Sequence, residues 1–368
     1  MFSASSISLK IFLKKYGEIQ KKLTKEVDAF VREGYFGGRC EVFGNPKINE
    51  QILYYDYKGM YGKCMKENIP VGPYKYKKKP KNFKKRGFYR IRWVSNLDIP
   101  ILPKKLDKLF FVNGKHIGVY WVEEIELFIE EGGIVLEIIE CWYSVGYKKA
   151  IEPYINEMEA IRDKGGLYKE ISKLLVNSLY GRLGMVREFE EIILEYSTPD
   201  IDEYVQLNDF FLYKQKKTIK GISNVFIAAA ITAKARIKLY KTFKAIILSK
   251  GRILYCDTDS VVATYDKDNN IIGKNIGQII FDPNNPKTII NNAVFTSPKS
   301  YAIKYNNFEI IKIKGFNTKY ITFKQFSQSF WNETLLEINP NLYNKLQFNY
   351  SIGILKRYVN LNLYDKRT

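Results

Sequence analysis

The stretch ILYCDTDSVVA, residues 253–263, places an acidic turn between two apolar runs. Its β-branched and aromatic residues are typical of strands, and the DTD between them is typical of a turn. The stretch therefore predicts a β-hairpin with carboxylates at its tip. A second apolar run, residues 52–55, leads into Asp56. Strand ends hold side chains more rigidly than loops do, so Asp56, Asp257 and Asp259 are candidate metal ligands.

Carboxylates brought together in this way can hold a pair of Mg²⁺ ions about 3.5–4 Å apart, and such a pair promotes phosphoryl transfer. A simpler interpretation stays open, because Asp is common in turns, where its side chain bonds its own backbone. A calcium-binding EF-hand loop is excluded, since its sixth position is Gly and the residue here is Val262. The strands around the hairpin and the matching strand before Asp56 favour the metal site.

Residues 173–181 (KLLVNSLYG) predict a helix with Gly181 as its C-cap. Lys173, Asn177 and Tyr180 stand at i, i+4 and i+7, so they share one helix face. An ammonium, an amide and a phenol on one face suit a nucleotide, because Lys pairs with phosphates and a Tyr ring stacks on bases. The alternative is the ordinary polar face of a surface helix. The leucines of this stretch are expected to point toward a core: Leu174, Leu175 and Leu179.

These three stretches resemble motifs A, B and C of the family B DNA polymerases, which read D-x-x-S-L-Y-P, K-x-x-x-N-S-x-Y-G and Y-x-D-T-D-S, and they occur in the family's order. YFGG, residues 35–38, resembles the Y-x-G-G element that joins the exonuclease and polymerase domains of that family. KSY, residues 299–301, resembles its K-x-Y element near the primer end. The resemblance runs from about Tyr16 to the C-terminus. It is strongest to the protein-primed subgroup of phi29-like phages and linear mitochondrial plasmids, which residues 224–241 also resemble.

Motif A departs from the family pattern at two positions. Gly59 and Gly62 stand where the family usually has Ser and Pro. Because Gly has extra backbone freedom, Gly59 is expected to loosen the turn that shapes the triphosphate site. This expectation concerns catalytic efficiency and leaves the resemblance intact.

The resemblance implies an α+β fold of the right-hand polymerase type, with a palm built on an antiparallel sheet, helical fingers and a small thumb. A second insertion is expected at residues 185–220. The expected segments are 1–33, a connecting helical segment; 34–92, palm with motif A; 93–150, an insertion resembling the terminal-protein region; 151–250, fingers helices with motif B and the second insertion; 251–315, palm with motif C and K-x-Y; and 316–368, a thumb-like region.

The resemblance implies a DNA-directed DNA polymerase core that extends a primer with dNTPs, and the likeness to the protein-primed subgroup implies priming by a protein. The primer 3′-hydroxyl would attack the α-phosphorus of a dNTP. Two Mg²⁺ ions, for which Mn²⁺ could substitute, would be held mainly by Asp56 and Asp259. Asp257 would support that site electrostatically.

The resemblance also assigns substrate contacts. Tyr61 would lie under the sugar of the incoming nucleotide, and Lys173 would neutralise its triphosphate. Asn177 and Tyr180 would line the nascent base pair. The DNA contacts, with template or primer, would come from Tyr35, Gly37, Gly38, Ser178, Gly181, Lys299, Tyr301 and Lys314.

The implied partners are a DNA template and primer, dNTPs and a terminal priming protein, and the plasmid subgroup implies a mitochondrial location. A second class of function stays open, a catalytically inactive remnant that still binds nucleic acid. Primer extension separates the two. A third class, a reverse transcriptase or RNA polymerase, is disfavoured. Reverse transcriptases typically show Y-x-D-D, whereas here Thr258 separates the aspartates.

The composition favours a polyanionic partner. Among 368 residues, 59 Lys and Arg face 39 Asp and Glu, a formal net charge of +20. An anionic membrane surface or solubility alone would explain the same charge, but the basic residues interleave with 28 Tyr and 23 Phe, as in stacking grooves for nucleic acid. The basic run at residues 74–92 is a candidate template contact. No run of 18 apolar residues occurs, so no membrane span is expected.

Cysteine and histidine exclude other chemistries. Four cysteines lie far apart without a C-x-x-C pair, which argues against a zinc site or a disulfide framework. The single His116 excludes most His-based triads and His-ligated metals, and its Gly-flanked surroundings predict a loop.

The N-terminus has two interpretations. Residues 1–15 are basic, contain Ser and lack acids, as in a transit peptide, but their apolar residues also suit an ordinary connecting helix, which we prefer. Only 34 residues precede Tyr35. That length is too short for the exonuclease domain of the resembling enzymes, so no 3′→5′ exonuclease activity is expected.

Overall fold

A computed structural model describes residues 3–17, 19, 23–47, 50–106, 108–186, 188–201, 203–218, 222–264, 279–281, 290–334, 336–338 and 357–359. The chain divides into two compact units. We call Met1–Phe36 with Cys64–Ala233 the first unit, and Gly37–Lys63 with Lys234–Thr368 the second unit. The predicted thumb-like segment is described only in part, at 316–334, 336–338 and 357–359.

The helices of the described residues vary from about two to more than six turns. They are α1 Ala4–Lys15, α2 Lys25–Glu33, α3 Met60–Lys66, α4 Val122–Glu130, α5 Glu152–Arg162, α6 Gly166–Leu183, α7 Val225–Leu248 and α8 Phe323–Trp331. Helices α3 and α7 contribute residues to both units. No helix within the described ranges is long and apolar enough to cross a membrane.

The strands of the described residues are β1 Cys40–Val42, β2 Ile52–Tyr57, β3 Ile69–Lys78, β4 Gly87–Ser95, β5 Pro103–Lys105, β6 Leu109–Phe111, β7 Gly114–Trp121, β8 Ile134–Lys148, β9 Glu188–Glu195, β10 Tyr204–Leu207, β11 Phe210–Thr218, β12 Ile253–Asp257, β13 Ser260–Thr264, β14 Ile279–Phe281, β15 Asn292–Ser297, β16 Ser300–Lys304, β17 Glu309–Ile313, β18 Leu336–Ile338 and β19 Arg357–Val359. Every pairing between these strands is antiparallel. The predicted α+β class with antiparallel sheets is therefore confirmed.

The first unit is built around a four-stranded sheet of order β3-β8-β4-β7. Its core holds Trp93 and Trp121, both fully buried, and Phe128 of α4 packs on Trp93 with ring centroids 5.3 Å apart. Aromatic side chains of this size dominate the energetics of a core. His116 lies in β7 opposite Trp93, so the loop predicted for it is wrong. Its neighbours in β7 pair continuously with β4, which outweighs the local Gly signal.

Helix α6 of the first unit ends later than predicted. It continues through Leu183, and the C-cap is Gly184, whose amide bonds the carbonyl of Tyr180. Leu183 is fully buried and its carbonyl accepts the amide of Asn224 at 2.8 Å, which explains the extra turn. Gly181 therefore lies inside the helix, and the prediction that it caps the helix is wrong.

A separate three-stranded sheet of order β10-β11-β9 occupies the predicted second insertion of the first unit. The three strands lie within residues 188–218 and form two consecutive antiparallel pairings. Several of its apolar side chains are exposed: Ile192, Leu194, Val205 and Leu207.

The second unit contains a five-stranded sheet of order β1-β12-β13-β2-β14 and a three-stranded sheet of order β15-β16-β17. One buried cluster joins residues of both sheets, including Tyr255, Val262, Phe295 and Ile303. The rings of Tyr255 and Phe295 stack with centroids 5.0 Å apart and planes 9° apart. This packing holds the β15–β16 turn beside the end of β12.

Candidate active site

The carboxylates lie in one row across the five-stranded sheet. Along this row Cys40 faces Asp257, Asp257 faces Ser260, and Ser260 faces Asp56. Residues directly opposite in antiparallel strands point to the same face of a sheet, and neighbouring strands are about 4.8 Å apart. The β-hairpin predicted from residues 253–263 is therefore present, and the sheet places Asp56 two strands from Asp257 on one face.

The hairpin tip brings Asp259 to the same place. Residues 258 and 259 join β12 to β13, and the carbonyl of Asp259 accepts the amide of Tyr57 at 2.8 Å. The backbone of Asp259 is thus hydrogen-bonded to that of Tyr57, the residue that follows Asp56. Thr258 has φ +62°, which is an unusual conformation for a β-branched residue. Strained backbone of this kind clusters at functional sites, where the surrounding structure holds it.

A lysine from the neighbouring sheet pairs with this row. The Lys299 Nζ donates to both carboxylate oxygens of Asp257, at 2.8 and 3.0 Å. Partial burial acts to lower the pKa of Lys299, but the hydrogen bond and the charge of Asp257 outweigh it and raise that pKa. The Lys299 amide also donates to the Tyr255 hydroxyl at 3.0 Å. Lys299, which was predicted to contact DNA, therefore carries its ammonium directly at the carboxylates.

Tyr255 is the support of this arrangement. Burial raises the pKa of its hydroxyl, which therefore stays protonated while it accepts the Lys299 amide. The Cys40 Sγ lies 3.4 Å from the same hydroxyl, and burial raises the pKa of the Cys40 thiol to about 11. Tyr301, also predicted to contact the primer, is only 3% exposed, and its ring centroid lies 5.2 Å from that of Tyr255. In this structure Tyr301 packs the core beneath Lys299.

Two tyrosines of β2, the strand that carries Asp56, hold that strand in place. The Tyr54 hydroxyl donates to Ser260 Oγ at 3.0 Å, and burial raises the pKa of that phenol. The Tyr57 hydroxyl bonds Thr242 and donates to the Lys238 carbonyl at 3.3 Å, both on α7. Sequence analysis missed the roles of these tyrosines and of Ser260, because the contacts join residues about 180 to 206 positions apart.

The turn after motif A explains one of the two unusual glycines. Gly59 has φ +66°, in the left-handed region that other residues adopt at a cost. Gly59 therefore fits this turn without strain. The expectation that its backbone freedom loosens the turn does not account for this positive φ. Tyr61 follows in α3 and is 9% exposed. The other glycine, Gly62, lies within α3.

The residues of motif B lie on α6 in the first unit. Lys173 and Asn177 are exposed, as expected for a contact face, while Ser178 and Tyr180 are partly buried. Leu179 is fully buried, but Leu174 is 54% exposed, so the prediction that all three leucines face a core is wrong. The reason is geometric, since Leu174 and the exposed Asn177 stand at i and i+3 and therefore lie on the same side of the helix.

The remaining predicted DNA contacts are placed as follows. Tyr35 lies in the first unit, where its ring abuts Gly184. Gly37 and Gly38 lie just before β1 in the second unit, separated from it by Arg39. Lys314 is exposed just after β17. Within the second unit the fold thus brings together Asp56, Asp257, Asp259 and Lys299.

The side chains of Asp56 and Asp259 offer carboxylate oxygens, which are donors that suit Mg²⁺. No cluster of three or more His, Cys, Asp or Glu side chains suited to a metal occurs in the part of the chain that is described. Mg²⁺ keeps several waters and is usually bound through one or two carboxylates together with substrate phosphates. Asp56 and Asp259 at adjoining strand ends match that mode of binding.

Removing the lysine is expected to strengthen metal binding in the absence of DNA. In Lys299→Met the Asp257 carboxylate loses a competing cation, so the dissociation constant for Mn²⁺ should fall about two- to fivefold, the range for a partly exposed ion pair. Titration calorimetry or Mn²⁺ paramagnetic resonance measures it. Lys304→Met, at an exposed position of β16, is the control. Unchanged or weaker Mn²⁺ binding in Lys299→Met would contradict the competition.

Comparisons with known proteins identify the family of this chain. A sequence model of the family described as "DNA polymerase type B, organellar and viral" matches residues 1–275. A probable DNA polymerase of Podospora anserina is 24% identical, over 98% of this chain and 34% of that protein. A DNA-directed DNA polymerase of Enterobacteria phage PRD1 is 28% identical, over 65% of this chain and 44% of that protein. The chain therefore spans less than half the length of these relatives.

A solved structure shares the fold. Phi29 DNA polymerase in complex with primer-template DNA matches with a TM-score of 0.73 and 19% identity, over 89% of this chain and 63% of that one. At this identity the likeness shows the right-hand polymerase fold, as predicted. The matched family model covers well over half of the chain. The stretches that resemble motifs A and C lie on adjoining strands of one sheet. The chain belongs to the organellar and viral type B DNA polymerases.

Proposed function

We propose that this chain is the core of a DNA-directed DNA polymerase. The observation that carries the proposal is the register that sets Asp56 beside the tip of the acidic hairpin, with Asp259 bonded through its carbonyl to Tyr57. Relatives described as DNA polymerases and the solved complex of phi29 DNA polymerase with primer-template DNA support it.

In the proposed mechanism Asp56 and Asp259 would hold two Mg²⁺ ions. Bound there, the ions would activate the attacking primer hydroxyl and stabilise the leaving oxygen of the nucleotide. Asp257 adds negative charge beside them. Lys299 balances that charge and is positioned to move to a phosphate of the primer strand, because its ammonium is half exposed and its turn is anchored by Tyr255.

The nucleotide contacts remain those that the family resemblance assigns. Lys173, exposed on α6, would neutralise the triphosphate, while Asn177 and Tyr180 would line the nascent base pair. Tyr61 would lie beneath the sugar. The net charge of +20 supports DNA binding through phosphates, with Lys314, Ser178 and the glycine element as the named contacts. The predicted boundaries of palm, fingers and thumb are retained as part of this proposal.

Primer extension by the purified chain tests the function. The chain, a labelled primer-template, four dNTPs and Mg²⁺ should give template-directed products, and chelation of the metal should stop the reaction. DNA binding that depends on salt, with no nucleotide incorporated under Mg²⁺ or Mn²⁺, would favour the catalytically inactive remnant instead.

Protein priming and a mitochondrial plasmid as the replicated element are the finer parts of the proposal. They rest on the resemblance of the motifs and of residues 224–241 to the protein-primed subgroup of phi29-like phages and linear mitochondrial plasmids. The insertion at residues 93–150 is the candidate docking surface for a priming protein. The assignment of the docking surface to this insertion rests on family analogy.

Charge reversal on that insertion is expected to weaken docking of the priming protein. Replacing exposed Lys105, Lys108 and Lys115 by Glu should lower co-purification of the priming protein about tenfold, because like charges across an interface cost several kcal/mol. Primer extension on a plain DNA primer should persist. The control reverses Lys14 and Lys324, which are exposed outside the insertion. Undiminished co-purification would remove the docking assignment and leave the polymerase assignment in place.

A further inference from the structure

The two glycines that precede β1 have different surroundings. Gly37 is exposed, and a Cβ added there would meet no atom within 4 Å. A Cβ added at Gly38 would lie 2.7 Å from Cγ2 of Thr258 and 3.1 Å from its Cα. Neither glycine has a positive φ. Gly38 is therefore required by the close approach of the Thr258 turn, whereas neither space nor backbone conformation requires glycine at position 37.

A backbone hydrogen bond joins the same two segments. The amide of Thr258 donates to the carbonyl of Arg39 at 2.7 Å, one step beyond the last register pair of β1 and β12, Cys40 with Asp257. The strand ladder thus continues into the turn. Thr258 holds φ +62°, and such a conformation persists only where neighbouring groups over-determine it.

The residue that supplies this carbonyl is itself held firmly. Arg39 is 3% exposed and its guanidinium pairs with Glu41 at 2.6 Å. The guanidinium also lies over the ring of Phe43, 5.2 Å from its centroid. On the other side, buried Arg236 donates to the carbonyl of Gly37 at 2.9 Å. The segment from Gly37 to Arg39 is therefore a fixed support.

We infer that Gly38 and the Arg39 carbonyl form the support that sets the backbone of the acidic turn, and with it the orientation of Asp257 and Asp259. Gly38 is thus a positioning residue that acts through Thr258. This role is distinct from the direct template contact that the family resemblance assigns to the glycine element. The inference rests on the proposed function, because the turn carries the carboxylates of the proposed metal site.

Filling the space at Gly38 is expected to displace the turn. In Gly38→Ala, kcat for primer extension should fall about 100-fold, the order of loss that a displacement near 1 Å produces. KM for DNA should change less than about twofold, since phosphate contacts come from Lys and Arg. The dissociation constant for Mn²⁺ without DNA should rise about tenfold, which is a readout independent of turnover.

A second substitution should restore the geometry. Thr258→Ser removes Cγ2, the atom in closest contact, and retains the hydroxyl that donates to Asp257 Oδ1 at 3.2 Å. The kcat of Gly38→Ala/Thr258→Ser is compared with that of Thr258→Ser, and the kcat of Gly38→Ala is compared with that of the native chain. The relative loss of kcat should be at least about tenfold smaller in the Thr258→Ser background. The control is Gly44→Ala in the same connection, where a Cβ would meet only Arg252 Nη1, at 3.7 Å.

The outcomes separate positioning from direct DNA contact and from folding. Gly37→Ala tests for direct contact between the glycine element and DNA. A rise in KM for DNA in both Gly37→Ala and Gly38→Ala, with kcat retained, would overturn the inference. Unrestored kcat and Mn²⁺ affinity in the double variant would also overturn it. If Gly38→Ala does not fold, recovery of a folded, active double variant supports the inference and failure of both counts against it. If the native chain extends no primer, the proposed function fails, and the Mn²⁺ affinities still decide this inference.

Discussion

Asp259→Asn is expected to abolish primer extension and to leave DNA binding nearly intact. The substitution keeps the size of the side chain but removes a charged oxygen ligand from the hairpin tip. Metal-held charge contributes several kcal/mol to phosphoryl transfer, so kcat should fall at least about 100-fold. DNA affinity comes from phosphate contacts with Lys and Arg, and its dissociation constant should change less than about twofold.

The control for this loss is an aspartate with no place in the site. Asp163→Asn removes the same charge at an exposed helix end and should leave extension unchanged. Single-turnover extension and DNA binding, both measured in Mg²⁺ and in Mn²⁺, give the two readouts. If Asp259→Asn retains more than about a tenth of the activity, which is less than about 1.4 kcal/mol of lost transition-state stabilisation, Asp259 is not a ligand of the reacting ions.

Tyr61→Val is expected to admit ribonucleotides. Tyr61 stands in α3 directly after the motif A turn and is 9% exposed, so its ring is held in place. In the resembling family a ring at this position excludes the 2′-hydroxyl by steric contact. Shortening the side chain should lower the ratio of kcat/KM for dNTP over rNTP about 100-fold. Most of the change should come from faster rNTP incorporation.

Tyr61→Phe isolates the ring from the hydroxyl and should keep the discrimination of the native chain. Replacing a buried aromatic side chain by Val also costs stability, of the order of 2–4 kcal/mol, so the ratios are compared well below the melting temperature of each variant. Equal discrimination in Tyr61→Val and the native chain would make Tyr61 a packing residue and would place the sugar filter elsewhere.

Local sequence patterns determined the elements that carry the site. The apolar runs that flank residues 257–259 are strands in the structure, and the alternation of a strand is visible within a few residues. The spacing of Lys173 and Asn177 correctly placed them on an exposed helix face. The order of the motifs was sufficient to recognise the family, which the match over residues 1–275 confirms.

Tertiary structure alone decided how these elements meet. Asp56 stands across Ser260 from Asp257 because β2, β12 and β13 pair in one register, and periodicity within a strand carries no information about its partner. Periodicity within a strand does not predict the contact between Lys299 and Asp257 either. The Lys299 turn lies beside Asp257 because Tyr255 of one sheet stacks on Phe295 of the other.

The motif residues illustrate the same division. Gly37 and Gly38 look alike in sequence, yet only Gly38 abuts the strained turn, because the chain returns there 220 residues later. The sequence predicts Gly181 as the C-cap of α6, whereas the structure has Gly184, because burial of Leu183 stabilises one more turn of helix. The sequence by itself determined the family, the strands and the acidic residues, whose signals are local. The tertiary structure decided their register, their counter-ion and their support, because these depend on contacts between distant parts of the chain.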